Sequence, residues 1–197
     1  MRSPIVNSIA CDDGRVEKLG GKRLYTIIVC IAYRGRIPVD LAVSRVRIDG
    51  LDSTSIISGL VMRLEENVRL ENPAILLDTI IYAGFNIVSL DLLKRLTGLD
   101  VIAFYPYKPD KNLLIDTVLR HLDWAPLRSR LIEEQLSRLR KIETEKGVVY
   151  VVSTIGEERA LADIVGYYQV YTRHLEPLRV AHMAASSISK LLGKVTH

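Results

Sequence analysis

The sequence predicts an α/β fold in which an antiparallel three-strand meander and several parallel strands form one mixed sheet covered by helices. Three observations predict it. From Ile5 to Asp49 the apolar residues follow strand patterns, and after Gly50 helix and strand alternate. Turn signals such as Gly20-Gly21, Arg34-Gly35-Arg36 and Pro73 separate several of these segments. A chain of 197 residues, 48% apolar and 25% charged, builds one core comfortably and two with difficulty. No repeat, low-complexity tract or linker interrupts it, so residues 1–197 are expected to form a single domain.

The elements follow in order. Ile5 to Cys11 is apolar and β-branched, and a polar stretch with the Gly20-Gly21 turn signal separates it from Leu24 to Tyr33, a run of Tyr, Thr, Ile and Val. Arg34-Gly35-Arg36 turns the chain into Ile37 to Ile48, where apolar and polar residues alternate; tight turns between three strands make them antiparallel. Asp52-Ser53-Thr54 offers cap side chains for a helix bearing Ile56, Leu60 and Leu64. Pro73 ends it, and Ala74 to Asp78 is a short buried strand ending in an acid. Tyr82-Ala83-Gly84-Phe85-Asn86 leads to a helix through Leu90, Leu93 and Leu96, stopped by Gly98. Val101 to Tyr105 is a strand. Lys111 to Leu122 and Leu127 to Lys141 are helices broken at Trp124-Ala125-Pro126, Val148 to Val152 is the last strand, and helices at about Glu157 to Tyr171 and Glu176 to Leu192 finish the chain. A meander followed by right-handed crossovers is the ribonuclease H-like order. Its first strand lies beside its fourth, about 4.8 Å away.

Several classes are excluded. The longest apolar run, Leu24 to Tyr33, is about half what a bilayer requires, and the acids at 12 and 13 argue against a signal peptide. Two cysteines do not make a disulfide framework, so a reducing, cytoplasmic setting is expected. A net charge of +4 permits nucleic acid as a partner without requiring it. There is no Gly-rich phosphate loop, CxxC pair, Gly-x-Ser-x-Gly elbow or HExxH motif.

Acids at strand ends are the chemistry that remains. Asp12 and Asp13 follow the first strand, and only one of two successive strand residues faces a given side. Asp12 is favoured, because Asp13-Gly14 reads as a turn. Asp49 and Asp52 lie where the third strand meets the first helix; Asp52 reads as a helix cap, while Asp49 is equally a turn residue or a third carboxylate. Asp78 is hard to explain as structure alone, since an unpaired carboxylate in an apolar stretch is costly. The carboxyl ends of strands are where α/β sheets place ligands. Lys108 sits between Pro106 and Pro109, a stiffened loop that otherwise reads as solvated. His182 shares a helix face with Leu178, Ala181 and Ala185 and reads as a core histidine on that pattern. Arg128, Arg130, Arg138, Arg140 and Lys141 alternate with glutamates, as on a solvated helix.

Together, Asp12-Asp13-Gly14, Ile48 to Asp52, Leu77-Asp78, Tyr82 to Val88 and Glu176 to His182 resemble, in this order and over nearly the whole chain, an archaeal family of uncharacterised proteins distantly related to endonuclease V. The resemblance implies a divalent-metal centre, Mg²⁺ or Mn²⁺, on Asp12 (with Asp13 as its neighbour), Asp78 and, more loosely, Asp49. It implies that Lys108 stabilises charge at the phosphate and that His182 stands near the site to orient water or move a proton. Tyr82, Gly84, Phe85, Asn86 and Arg179 become candidates for binding substrate. Two features of endonuclease V are absent. Its Pro-Tyr-x-Pro-Gly wedge has no counterpart in Leu41 to Ile48, and Ile81 to Phe85 replaces its His-Pro-Arg segment; Thr79 stands where relatives tend to have Gly. The expected function is a metal-dependent nuclease acting on a modified, structured or single-stranded DNA or RNA, with no membrane and no protein partner implied. The rivals are a binding module that kept the fold and lost catalysis, and a hydrolase of small phosphate esters.

Overall fold

The computed structural model describes residues 6–15 and 24–195. Its strands are β1 (Ser8–Asp13), β2 (Tyr25–Arg34), β3 (Ile37–Arg47), β4 (Ala74–Leu77), β5 (Ile81–Tyr82), β6 (Asn86–Ile87), β7 (Val101–Tyr105), β8 (Arg140–Thr144) and β9 (Gly147–Ser153). Its helices are α1 (Ser53–Val68), α2 (Leu90–Thr97), α3 (Lys111–His121), α4 (Ala125–Leu136), α5 (Glu158–Tyr168) and α6 (Glu176–Val195). Seven strands form the main sheet in the order β3-β2-β1-β4-β7-β9-β8, and β5 and β6 make a small separate hairpin. The meander β1-β2-β3 is antiparallel, and β1, β4 and β7 run parallel, so the first strand does lie beside the fourth. This is the ribonuclease H-like mixed sheet that the sequence predicts. The Gly20-Gly21 turn and Ile5 lie outside the described residues.

Alternation along each strand divides the core into two layers. Ile9 and Cys11 of β1 and Ile75 and Leu77 of β4 face α1, α2, α3 and α4, where Ile57, Leu64, Leu93 and Ile132 meet them. Ala10, Leu76, Val29 and Phe104 face α5 and α6, against Leu161, Val165, Ala181 and Ala185. Small residues at 181 and 185 let α6 lie close to the sheet, over β1, β2 and β4.

Four local expectations are corrected. The helix expected over Leu127 to Lys141 ends at Leu136, and Arg140–Thr144 is an additional strand that forms a hairpin with β9. Its alternation buries Ile142 and pairs it with Val149, a strand period that the charge pattern concealed. As a result β9 joins β7 antiparallel rather than through a parallel crossover. Asp13-Gly14 is no turn: Asp13 is the last residue of β1, and the Gly14 amide still donates to the Ile27 carbonyl at 2.8 Å. Finally, the cysteines are not free thiols. Cys11 and Cys30, partners in the β1–β2 register, are joined as a disulfide, so the cysteine count does not indicate a reducing compartment. No helix among the described residues is long and apolar enough to cross a membrane.

Candidate metal centre

The carboxylates meet at the carboxyl edge of β1 and β4 because of register. Cys11 pairs with Leu77, so one step further Asp12 stands beside Asp78. Both follow residues that face α1, so both turn toward α6. Asp12 is 1% exposed. Its carboxyl interacts with that of Asp78. Asp78 as a residue is only half-buried, yet its Oδ1 is sealed from solvent with no hydrogen-bond partner. Burial, then repulsion from Asp13, pushes the Asp12 carboxyl up to about 7. Burial above all, then Asp12 and Asp13, holds Asp78 well above the carboxylate range.

Asp13 points to the other face and nonetheless joins the group. Its Oδ2 accepts the Ala83 amide at 2.7 Å, and its own amide donates to Asp12 Oδ1 at 2.7 Å. Burial raises the Asp13 carboxyl, and the Ala83 amide opposes that rise. The alternation rule separates Asp12 from Asp13 inside a strand; at a strand end both reach the same edge.

His182 approaches from α6, with Nδ1 2.7 Å from Asp12 Oδ2. Its side chain is 68% exposed, so the expectation of a core histidine is corrected: it lies at the border of the helix's buried stripe, over the sheet edge. The exit of β1 fixes this approach. A side chain on Gly14 would come within 2.8 Å of Ser189 Cβ and Ile27 Cγ1, so only glycine lets the strand pass this close to α6. Arg15 then bonds α6 twice, through its amide to Ser189 Oγ and its Nε to Ser186 Oγ.

Tyr82, a candidate for substrate, is fully buried instead. Its hydroxyl donates to the Cys11 carbonyl at 2.7 Å and interacts with Asp78. Tyr105, which the sequence did not single out, accepts the Ile80 amide at 3.2 Å and steadies the chain leaving β4.

A second polar cluster borders the first. Asn86 is fully buried: its Oδ1 accepts the Ser53 amide, and its Nδ2 donates to the Arg47 carbonyl and to Asp52 Oδ1. Both its donors are used and the side chain is sealed from solvent, unlike the substrate contact expected. Asp52 makes no side-chain cap to α1, since its carboxylate serves Asn86. Asp49 is exposed, has φ 52° and accepts the Phe85 amide at 2.9 Å; it does not join the three interacting carboxyls. Gly84, at φ +84°, lies against it, and any Cβ there would strike Asp49 Oδ1.

Arg128 binds these turns together. Expected on a solvated helix, it is 2% exposed. Its guanidinium donates to the carbonyls of Asp123 (2.8 Å), Gly50 (3.0 Å) and Asp49 (2.5 Å), and also to that of Phe85. Nothing in the charge pattern distinguishes it from its neighbours, because its partners are backbone atoms far away in sequence. Lys108 and Arg179 remain outside. Lys108 is exposed after β7 with no bond to a carboxylate among the described residues, and exposed Arg179 is paired with Glu176 on its own helix.

Three carboxyls from two neighbouring strands supply hard oxygen donors of the kind that suit Mg²⁺ or Mn²⁺. No group of three or more His, Cys, Asp or Glu among the described residues is already arranged to hold a metal ion; Asp12 is turned to His182 and Asp13 to Ala83. The donor set still fits a cation, because Asp78 Oδ1 is a buried acceptor without a donor and the crowded carboxyls repel one another.

The sequence and the fold have known relatives. A UPF0215 protein of Aeropyrum pernix is 40% identical over 191 residues, covering 95% of this chain and all of that one. A protein of unknown function from Archaeoglobus fulgidus has a similar solved structure, with a TM-score of 0.75 at 22% identity over 93% of this chain and 98% of that chain. Endonuclease V of Ciona intestinalis, solved with a DNA containing an inosine, superposes with a TM-score of 0.55 at 14% identity over 98% of this chain and 88% of its own. The model of one family, described as endonuclease dU, matches residues 4–189. The chain is therefore a member of the endonuclease dU family, built on the fold of endonuclease V.

Proposed function

We propose that the protein is a divalent-metal-dependent nuclease that hydrolyses phosphodiester bonds in a modified, structured or single-stranded nucleic acid. The observation that carries this reading is the set Asp12, Asp13 and Asp78, gathered at one sheet edge with Asp78 Oδ1 buried and unpartnered. Asp12 and Asp78 would hold the ion, with Asp13 beside them. A Mg²⁺ or Mn²⁺ ion held there would supply water activation and charge neutralisation at the phosphodiester. The remaining roles belong to the protein. Asp12 orients the His182 imidazole through Nδ1, and the exposed ring is placed to take or return a proton at the reacting water. The Ala83 amide holds Asp13, and Tyr82 buttresses the β1 backbone directly behind Asp12.

The experiment is a cleavage assay with Mg²⁺ or Mn²⁺ on DNA and RNA oligonucleotides. The family's description puts a deoxyuridine-containing strand first, and an inosine-containing strand follows. Cutting that disappears in Asp78→Asn while the variant stays folded is the expected result. Binding without cutting of any substrate, unaffected by Asp78→Asn, would instead identify a module that kept the fold without catalysis.

A further inference from the structure

The one tryptophan of the chain stands at the turn between α3 and α4, where neither packing nor helix capping accounts for it. Trp124 is 69% exposed and holds φ 57°, ψ 29°, a left-handed conformation that is rare for a bulky side chain. Its side chain makes no cap to α4. An exposed indole in an unfavourable backbone conformation is a feature that folding alone does not select.

Its position ties it to the carboxylate site. Arg128 grips the carbonyl of Asp123, the residue before Trp124, and with the same guanidinium grips Asp49, Gly50 and Phe85. Phe85 lies two residues from Ala83, whose amide binds Asp13. One buried cation thus sets the Trp124 turn and the hairpin that touches the carboxylates in a fixed relation. The loops so gathered also leave Leu51 exposed and Phe85 half-exposed. Arg47, at the end of β3 beside this cluster, is an exposed cation without an ion pair among the described residues.

We infer that Trp124 is a stacking platform for an unpaired base of a nucleic-acid strand bound beside the carboxylate edge, with Arg47 facing that strand's phosphates. This rests on the nucleic-acid reading above. An indole face accepts any base, and aromatic platforms next to cationic side chains are how proteins hold single strands. An unpaired base matches the exposed indole, and the phosphates of the same strand match the exposed cation.

The single tryptophan makes the test direct. Intrinsic fluorescence of the full chain is titrated in EDTA with a single-stranded DNA on the order of 15 nucleotides long, and anisotropy of the same labelled strand measures binding independently. The expected result is quenching with the midpoint of the anisotropy curve. Affinity falls roughly five- to a hundredfold in Trp124→Ala and is largely kept in Trp124→Phe. Trp124→Gly, which accepts positive φ without strain, controls for folding and loses affinity as the alanine variant does. Full affinity in Trp124→Ala, or binding without any change in fluorescence, overturns the inference and leaves the nuclease reading standing. Absence of strand binding in the unaltered protein also overturns the inference, and the cleavage assay with Mg²⁺ or Mn²⁺ then decides the nuclease reading separately. Fluorescence that responds to protein concentration and not to DNA shows a self-association surface, which also overturns it.

Discussion

Two clusters of polar residues lie side by side at one end of the sheet, and they handle burial in opposite ways. The Arg128 guanidinium and the Asn86 carboxamide both meet partners, and the cation is spread over four backbone carbonyls. At the carboxylate edge three acids of like charge are crowded together, Asp12 and Asp78 compete for a proton, and Asp78 Oδ1 has no partner. Since an unsatisfied buried polar group costs about 1–3 kcal/mol, the first cluster stabilises the fold and the second opposes it. Satisfied networks hold loops in place; an unsatisfied one of this composition is what a cation or a reacting group would complete.

The comparison breaks most visibly at Arg128. Arg128→Met leaves four carbonyls without their donor and should lower stability by about 3–5 kcal/mol, measured by urea unfolding; a loss under about 1 kcal/mol would remove the Arg128 cluster from the structural side. Asp78→Asn should act in the opposite direction. Without metal it relieves charge repulsion and raises stability by about 1–2 kcal/mol, seen as a higher Tm in EDTA. A lower Tm would mean that Asp78 is a structural residue after all.

A pH series sharpens the contrast. The Asp12 carboxyl is raised from 3.8 to about 7, by burial first and then by Asp13. Across that window the folded protein keeps a proton that the unfolded chain has released. Metal-free stability should therefore fall as pH rises from about 4 through about 7, with the raised Asp78 carboxyl adding to the loss. Asp78→Asn should flatten the slope, and Arg128 variants should leave it unchanged. The smallest effect belongs to Arg179→Ala. Its pair with Glu176 is on the surface and within one helix, so Tm should not move measurably, while a defect in strand binding would restore Arg179 as a substrate contact.

How much of this was legible in the sequence depends on the range of each interaction. The meander, the β1–β4 neighbourhood and the strand-ending Asp78 follow from periodicity and chain order, which are local signals. Ile142 is hard to place from sequence, because the short strand carrying Arg140, Lys141 and Glu143 continues the charge pattern of the helix before it. Asp13 joins the site against the alternation rule, which constrains strand interiors and not strand ends. Arg128 and Asn86 are illegible for a different reason: their partners, mostly backbone atoms, are brought together only by the fold, and no side-chain pattern records them. His182 lies on the edge of an apolar stripe, where periodicity alone does not say which way the ring turns.

The most direct test of the central claim, that the carboxylate edge is built to be completed by a cation, is calorimetric titration of Mn²⁺ into the unaltered protein and into Asp78→Asn. Saturable binding to the former that is lost in the latter, together with a Tm increase on Mn²⁺ addition confined to the unaltered protein, is the predicted result. Equal binding to both, or none to either with Tm unmoved by Mn²⁺, would contradict it.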